Sequence, residues 1–179
     1  MVIYGAGGLT QRQQARLLLA RAAKEQWGLS PLPALEQGPH GKPFFSGLDG
    51  FEFNLTHSGS LALCALSREP VGVDIQLVKS WRPGLPRRVC SDQELDWVEQ
   101  GTDRWERFSQ LWALKECLVK LHGTGLTRPI SGIRVPLPET DGSLLEQDGI
   151  WFRTYCGEGW RGAACGLEKP PESIRWIIL

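Results

Sequence analysis

Within residues 105–122, Leu111, Leu114, Leu118 and Leu121 fall at steps of three and four. That spacing draws one apolar stripe along a helix, and Gly123 and Gly125 end it. A striped helix draws most of its stability from packing its apolar face, so this chain must supply a surface to cover the leucines. Short strand-like runs are the candidates. Residues 51–56 alternate Phe51, Phe53 and Leu55 with Glu52, Asn54 and Thr56, the pattern of a half-buried strand. Residues 61–66 and 71–75 read as two more, and the short Gly- or Pro-bearing gaps predict an antiparallel meander. Beyond the helix, residues 130–137, 150–156, 161–167 and 174–178 are also strand-like.

A second helical stretch runs to Trp27, opened by the capping-box pattern Thr10-Gln11-Arg12-Gln13 and stopped by Gly28. A Pro/Gly-rich loop spans residues 31–41. Pro83, Gly84 and Pro86 interrupt residues 81–88, which read as a junction between lobes. Ser91 and Glu94 form another capping box, for a helix that Gly101 can end. Each half thus carries a helical part and several short strands. The expectation is a two-lobed α+β fold, residues 1–80 and 81–179.

Twenty basic and twenty acidic residues cancel, which weighs against the basic surplus of a nucleic-acid binder. No apolar run is long enough to span a bilayer, and residues 1–10 lack the pattern of a signal peptide. The five cysteines form no Cys-x-x-Cys pair, and His40, His57 and His122 offer no zinc spacing. Reduced, mostly buried thiols in a cytoplasmic protein are expected.

Four segments concentrate polar residues in unusual settings: Gly41-Lys42-Pro43, Asn54-Leu55-Thr56-His57-Ser58-Gly59, Val71-Gly72-Val73-Asp74-Ile75, and Trp112-Ala113-Leu114-Lys115-Glu116-Cys117-Leu118-Val119-Lys120. Asp74 sits in an apolar strand, where an unpaired carboxylate is costly. It admits two readings, a strand-end residue with a capping or basic partner, or a hard oxygen ligand for magnesium. Glu116 and Lys120, at i and i+4, share a face off the leucine stripe. They are an exposed ion pair worth a few tenths of a kcal/mol, or a metal ligand beside a phosphate-neutralising ammonium. His57 is a turn histidine or a phosphate donor. Lys42 is a surface lysine or a further phosphate contact.

Taken together, in this order and at this spacing, the four segments resemble the Sfp-type phosphopantetheinyl transferases. The likeness includes the continuation Leu121-His122-Gly123-Thr124-Gly125-Leu126 and covers roughly residues 16–131. Its specific part is the pairing of Gly-Val-Asp with Trp-x-x-Lys-Glu-x-x-x-Lys.

The resemblance implies a pseudo-dimer of two similar α+β lobes with coenzyme A between them. Asp74 and Glu116 would share one magnesium ion at the diphosphate, with Lys120 on the phosphates. Thr56 and His57 would bind the ribose phosphate and pyrophosphate, Lys42 would lie beside the nucleotide, and Arg16 and Arg21 near the ribose phosphate. The activity implied is transfer of the phosphopantetheine arm to a serine of an apo acyl or peptidyl carrier protein, with Glu116 as base. A monomer suffices. Gln76 departs from the family, where many members carry Glu. As a metal ligand it is weaker than a carboxylate, unless water takes its place. Arg82, Arg87 and Arg88, with Trp81 and Leu85, are either a solvated linker or a dock for an acidic carrier helix. The competing expectation is a non-catalytic coenzyme A-binding relative, with Gln76 in its favour.

Overall fold

The computed structural model describes residues 1–179 except Arg12, Leu126 and Arg128. Arg12 of the first capping box and Leu126 at the end of the Trp112 segment therefore lie outside the described residues. Strand β1 (Val2–Ala6) leads to α1 (Gln14–Trp27), a ribbon of β2 (Leu35–Gln37) and β3 (Pro43–Phe45), and the hairpin β4 (Glu52–Ser58) and β5 (Leu61–Ser67). Next come β6 (Val71–Leu77), the short helices α2 (Leu85–Val89) and α3 (Asp92–Glu99), and the long α4 (Arg104–His122). A 3-10 turn (Ile130–Gly132) precedes β7 (Leu144–Gln147), β8 (Ile150–Gly157), β9 (Trp160–Gly166) and β10 (Arg175–Trp176).

The two main sheets have the orders β10-β1-β5-β4 and β6-β9-β8-β7. In the first, β1 pairs antiparallel with β5 and β5 with β4; in the second, β6 pairs antiparallel with β9 and β9 with β8. Each half thus repeats strand, helix and hairpin, with the last hairpin strand lying beside the first strand. This is the α+β pseudo-dimer expected from the sequence.

Strand alternation sends successive residues to opposite faces, and the halves stack accordingly. Leu18, Leu19 and Ala22 of α1 pack with Tyr4, Ala6 and Cys64 on one face of the first sheet. Ile3, Leu63 and Ala65 on its other face meet Val71, Val73 and Ile75 of the second sheet. The leucine stripe of α4 then packs with Phe152, Ala163 and Cys165 on the far side. The order of layers is helix, sheet, sheet, helix.

Several details differ from expectation. β6 is not the third strand of a meander; it pairs with β9. Because β6 belongs to the later sheet and β10 joins β1, the sheets do not divide at residue 80. Between β4 and β6, side chains replace ladder bonds: Asn54 Oδ1 accepts from Val73 N–H at 3.0 Å, and Ser58 Oγ from Leu77 N–H at 3.1 Å. Residues 130–137 form no strand. Pro136 removes a ladder donor, and the apolar pattern serves packing instead, with Ile133 and Val135 in the α4 core. Segment 81–88 is not free of structure, since α2 starts at Leu85 with Pro86 in its first turn. Helix α1 starts at Gln14, three residues later than an N-cap at Thr10 implies, and the glutamine that reaches back is Gln14 rather than Gln13. The Gln14 side chain accepts from the N–H groups of Thr10 and Gln11 at 2.7 and 2.9 Å, and Gly28 ends the helix at φ 70°. The Ser91–Glu94 capping box is present as expected.

Candidate active site at the seam of the two sheets

Asp74 points from β6 toward α4 and is 2% exposed. Its burial is tolerable because every oxygen has a partner. Oδ1 accepts from Thr56 Oγ1 at 2.8 Å and forms an ion pair with Lys120 Nζ at 2.5 Å; Oδ2 accepts from Gln76 Nε2 at 2.7 Å. Lys120 also donates to Val73 O at 3.3 Å. Three elements therefore converge on one carboxylate: β4 through Thr56, β6 through Gln76, and α4 through Lys120.

This convergence requires α4 to press onto β6. Gly72 permits it, because a β-carbon there would overlap the Cys117 carbonyl oxygen and come within 2.8 Å of Leu121 N. One turn before Lys120, Glu116 emerges beside the same strand. Burial pushes its carboxyl above the usual range, the charge of Asp74 pushes it further, and Lys120 opposes both.

Glu116 and Lys120 line a cleft of about 250 Å³ together with Lys42, Asn54, Leu55 and Gly123. Lys42 Nζ donates to Val71 O at 3.3 Å and Leu121 O at 3.2 Å, tying the β2–β3 ribbon to β6 and to the end of α4. Its pKa is lowered by burial, with the Glu52 charge acting the other way. Lys42 and Lys120 thus give the cleft two cations beside Glu116, whose carboxylate makes no hydrogen bond or ion pair among the described residues. The arrangement suits an anionic, phosphate-bearing ligand.

Of the residues expected from sequence, Asp74, Gln76, Thr56 and Lys120 form one hydrogen-bonded cluster, and Glu116 and Lys42 share the cleft with Lys120. His57 is exposed on β4, on the face opposite Thr56 and shared with Leu55. Arg16 and Arg21 are exposed on α1, and Arg21 pairs with Glu25 at 2.6 Å. Gln76 turns its amide nitrogen to Asp74. Sequence reasoning gave no role to Asn54, Ser58 or Gly72. Polar residues at alternate positions of a strand were the available signal for the first two.

Residues 70–165 match the family described as the 4'-phosphopantetheinyl transferase superfamily. A 4'-phosphopantetheinyl transferase of Bacillus subtilis is 31% identical over 163 residues, 85% of this chain and 71% of the relative. The 4'-phosphopantetheinyl transferase Sfp of the same species is 29% identical, covering 77% and 65%. The 4'-phosphopantetheinyl transferase AcpT of Salmonella typhi is 40% identical, covering 60% of this chain and 56% of its own. The chain belongs to the 4'-phosphopantetheinyl transferase superfamily. It spans between about half and about seven tenths of these relatives' lengths.

Proposed function

We propose that the chain transfers the 4'-phosphopantetheine arm of coenzyme A to a serine of an apo acyl or peptidyl carrier protein, releasing adenosine 3',5'-bisphosphate. The observation that carries this reading is the convergence of Asp74, Glu116 and Lys120, from strand and helix, beside a cleft that also holds Lys42.

In the transfer, the serine oxygen bonds to the β-phosphorus of coenzyme A and the bond to the bridging oxygen of the diphosphate breaks. Glu116 takes the serine proton, and its raised pKa makes it the stronger base for that step. Lys120 and Lys42 neutralise the diphosphate, the main catalytic demand of phosphoryl transfer. Thr56 fixes the Asp74 carboxylate. His57, Arg16 and Arg21 are assigned to the outer phosphates of the nucleotide.

Magnesium fits this donor set. Asp74 and Glu116 are hard oxygen ligands whose mutual repulsion a divalent cation relieves. Among the described residues, no group of three His, Cys, Asp or Glu side chains is poised to hold a metal, and magnesium binds through one or two carboxylates plus substrate oxygens and waters. When bound, the ion would offset charge on the diphosphate. Gln76 would hold Asp74 in place or, with its amide turned, add a weak ligand.

The exposed Arg82, Arg87 and Arg88 around α2 are the proposed dock for an acidic carrier helix. Two similar halves in one chain supply both sides of the cleft, which supports a monomer. The unpaired cysteines support a cytoplasmic setting, and the zero net charge supports a role without nucleic acid. Among the described residues, no helix is long and apolar enough to cross a membrane. The test is to incubate the protein with coenzyme A, magnesium and a panel of apo carriers, and to weigh the products. A mass gain equal to the phosphopantetheine arm on one carrier is expected; no gain on any, from folded protein that binds coenzyme A, overturns the proposal.

A further inference from the structure

Lys115 precedes Glu116 on α4, yet it points the other way and is fully buried. It lies on the leucine stripe, four residues after Leu111 and three before Leu118. A lysine in such a place must have every ammonium proton matched. Lys115 Nζ donates to Val89 O at 2.8 Å, to Glu94 Oε2 at 2.8 Å and to Ile130 O at 3.1 Å. Its three protons fasten α4 to the end of α2, the start of α3 and the 3-10 turn. Glu94 is 3% exposed and also accepts from Ser91 N–H at 2.7 Å, which fixes the corner between α2 and α3.

A second contact joins the same pieces independently. Trp81, just before α2, stacks on Trp112 of α4 with ring centroids 5.6 Å apart and planes 14° from parallel. Trp112 and Glu116 are one turn apart. The segment that carries Arg82, Arg87 and Arg88 is thus bolted to α4 at Trp112 and at Lys115, both within the turn that leads into Glu116.

We infer that Lys115, paired with Glu94, is a positioning residue that ties the basic segment 81–89 to the turn of α4 bearing Glu116. It touches no reacting atom. It sets how far along and about its axis α4 sits relative to β6, and therefore where the Glu116 carboxylate stands opposite Asp74. A side chain displaced by about 1 Å from such a geometry costs up to 10²-fold in rate. The inference deepens the proposed transfer reaction and rests on it for its kinetic readout.

The experiment uses the double variant Lys115→Met, Glu94→Gln, which removes both charges and keeps an acceptor for Ser91 N–H. Removing both partners of a buried pair is far better tolerated than removing one. Lys115→Gln with Glu94→Gln, which removes both charges and keeps two hydrogen-bonding side chains facing each other, is the second variant if the first fails to fold. Coenzyme A binding stoichiometry counts the competent fraction, and kcat is normalised to it. The expected result is a KM for coenzyme A within about threefold of the parent and a kcat lowered about tenfold or more. Hydrogen exchange is expected to rise about tenfold in residues 85–89 and 130–133, with β9 unchanged. A folded variant with parental exchange in those segments, or with kcat within twofold, overturns the inference. Should the parent protein itself modify no carrier, the transfer reading falls, and the exchange comparison still decides whether Lys115 ties these segments together.

Discussion

Gly72 lies so close under Cys117 that no β-carbon fits between strand β6 and helix α4. Everything at the site depends on that approach. It brings Lys120 onto Asp74 and sets Glu116 beside them. Gly72→Ala is therefore expected to cost about 3 kcal/mol or more, a fall of about 6–12 °C in Tm for a chain of this size. Thermal melting checks this, and a variant melting with the parent would show that α4 can lift without loss.

Glu116 carries a stability cost that its proposed role as base and metal ligand would explain. Its pKa is raised by burial and by the Asp74 charge. A raised carboxyl stabilises the folded state below its unfolded pKa, and that stability is lost as pH rises through the folded pKa. Glu116→Gln should thus raise Tm by about 1–3 °C at pH 7–8 and give no gain below about pH 4, while abolishing turnover. Melting curves across pH read the sign. A gain confined to acid would contradict the assignment.

Gln76 donates to Asp74 Oδ2 where a carboxylate would repel it. Gln76→Glu should lower the Tm of the metal-free protein by about 3–10 °C. It should also bind magnesium, in the presence of coenzyme A, about tenfold more tightly. Calorimetry and melting with and without magnesium measure the two effects, which must have opposite signs if Gln76 faces the cation site.

Charge reversal of the exposed pair, Arg87→Glu with Arg88→Glu, should raise the KM for an acidic carrier about tenfold at low salt, and less at high salt. The KM for coenzyme A should not move. Steady-state kinetics at two ionic strengths separates docking from a solvated linker, for which neither constant would change.

Much of this was legible in the sequence. The leucine stripe gave α4 nearly to the residue, and the polar segments supplied Thr56, Asp74 and Lys120, which meet in one cluster, and Lys42 and Glu116, which share the cleft with Lys120. What was hidden has physical reasons. β1 is buried at all five positions, so it shows no alternation to betray a strand. Residues 130–137 alternate without forming one, because Pro136 leaves packing as the pattern's only use. β6 reads as the next strand of a meander, since sequence proximity cannot tell that Asn54 and Ser58 replace the ladder there. Lys115 sat in plain view on the stripe, where a buried lysine looks like an interruption until its three acceptors are known.

Asp74 and Glu116 are proposed to hold one divalent cation together against the diphosphate. The direct measurement is calorimetric titration of magnesium into the coenzyme A complex of the parent, Asp74→Asn and Glu116→Gln proteins. Binding at one site per chain that weakens by at least about tenfold in each variant, with little further loss when both are combined, is the predicted result. Parental affinity in either single variant would contradict it.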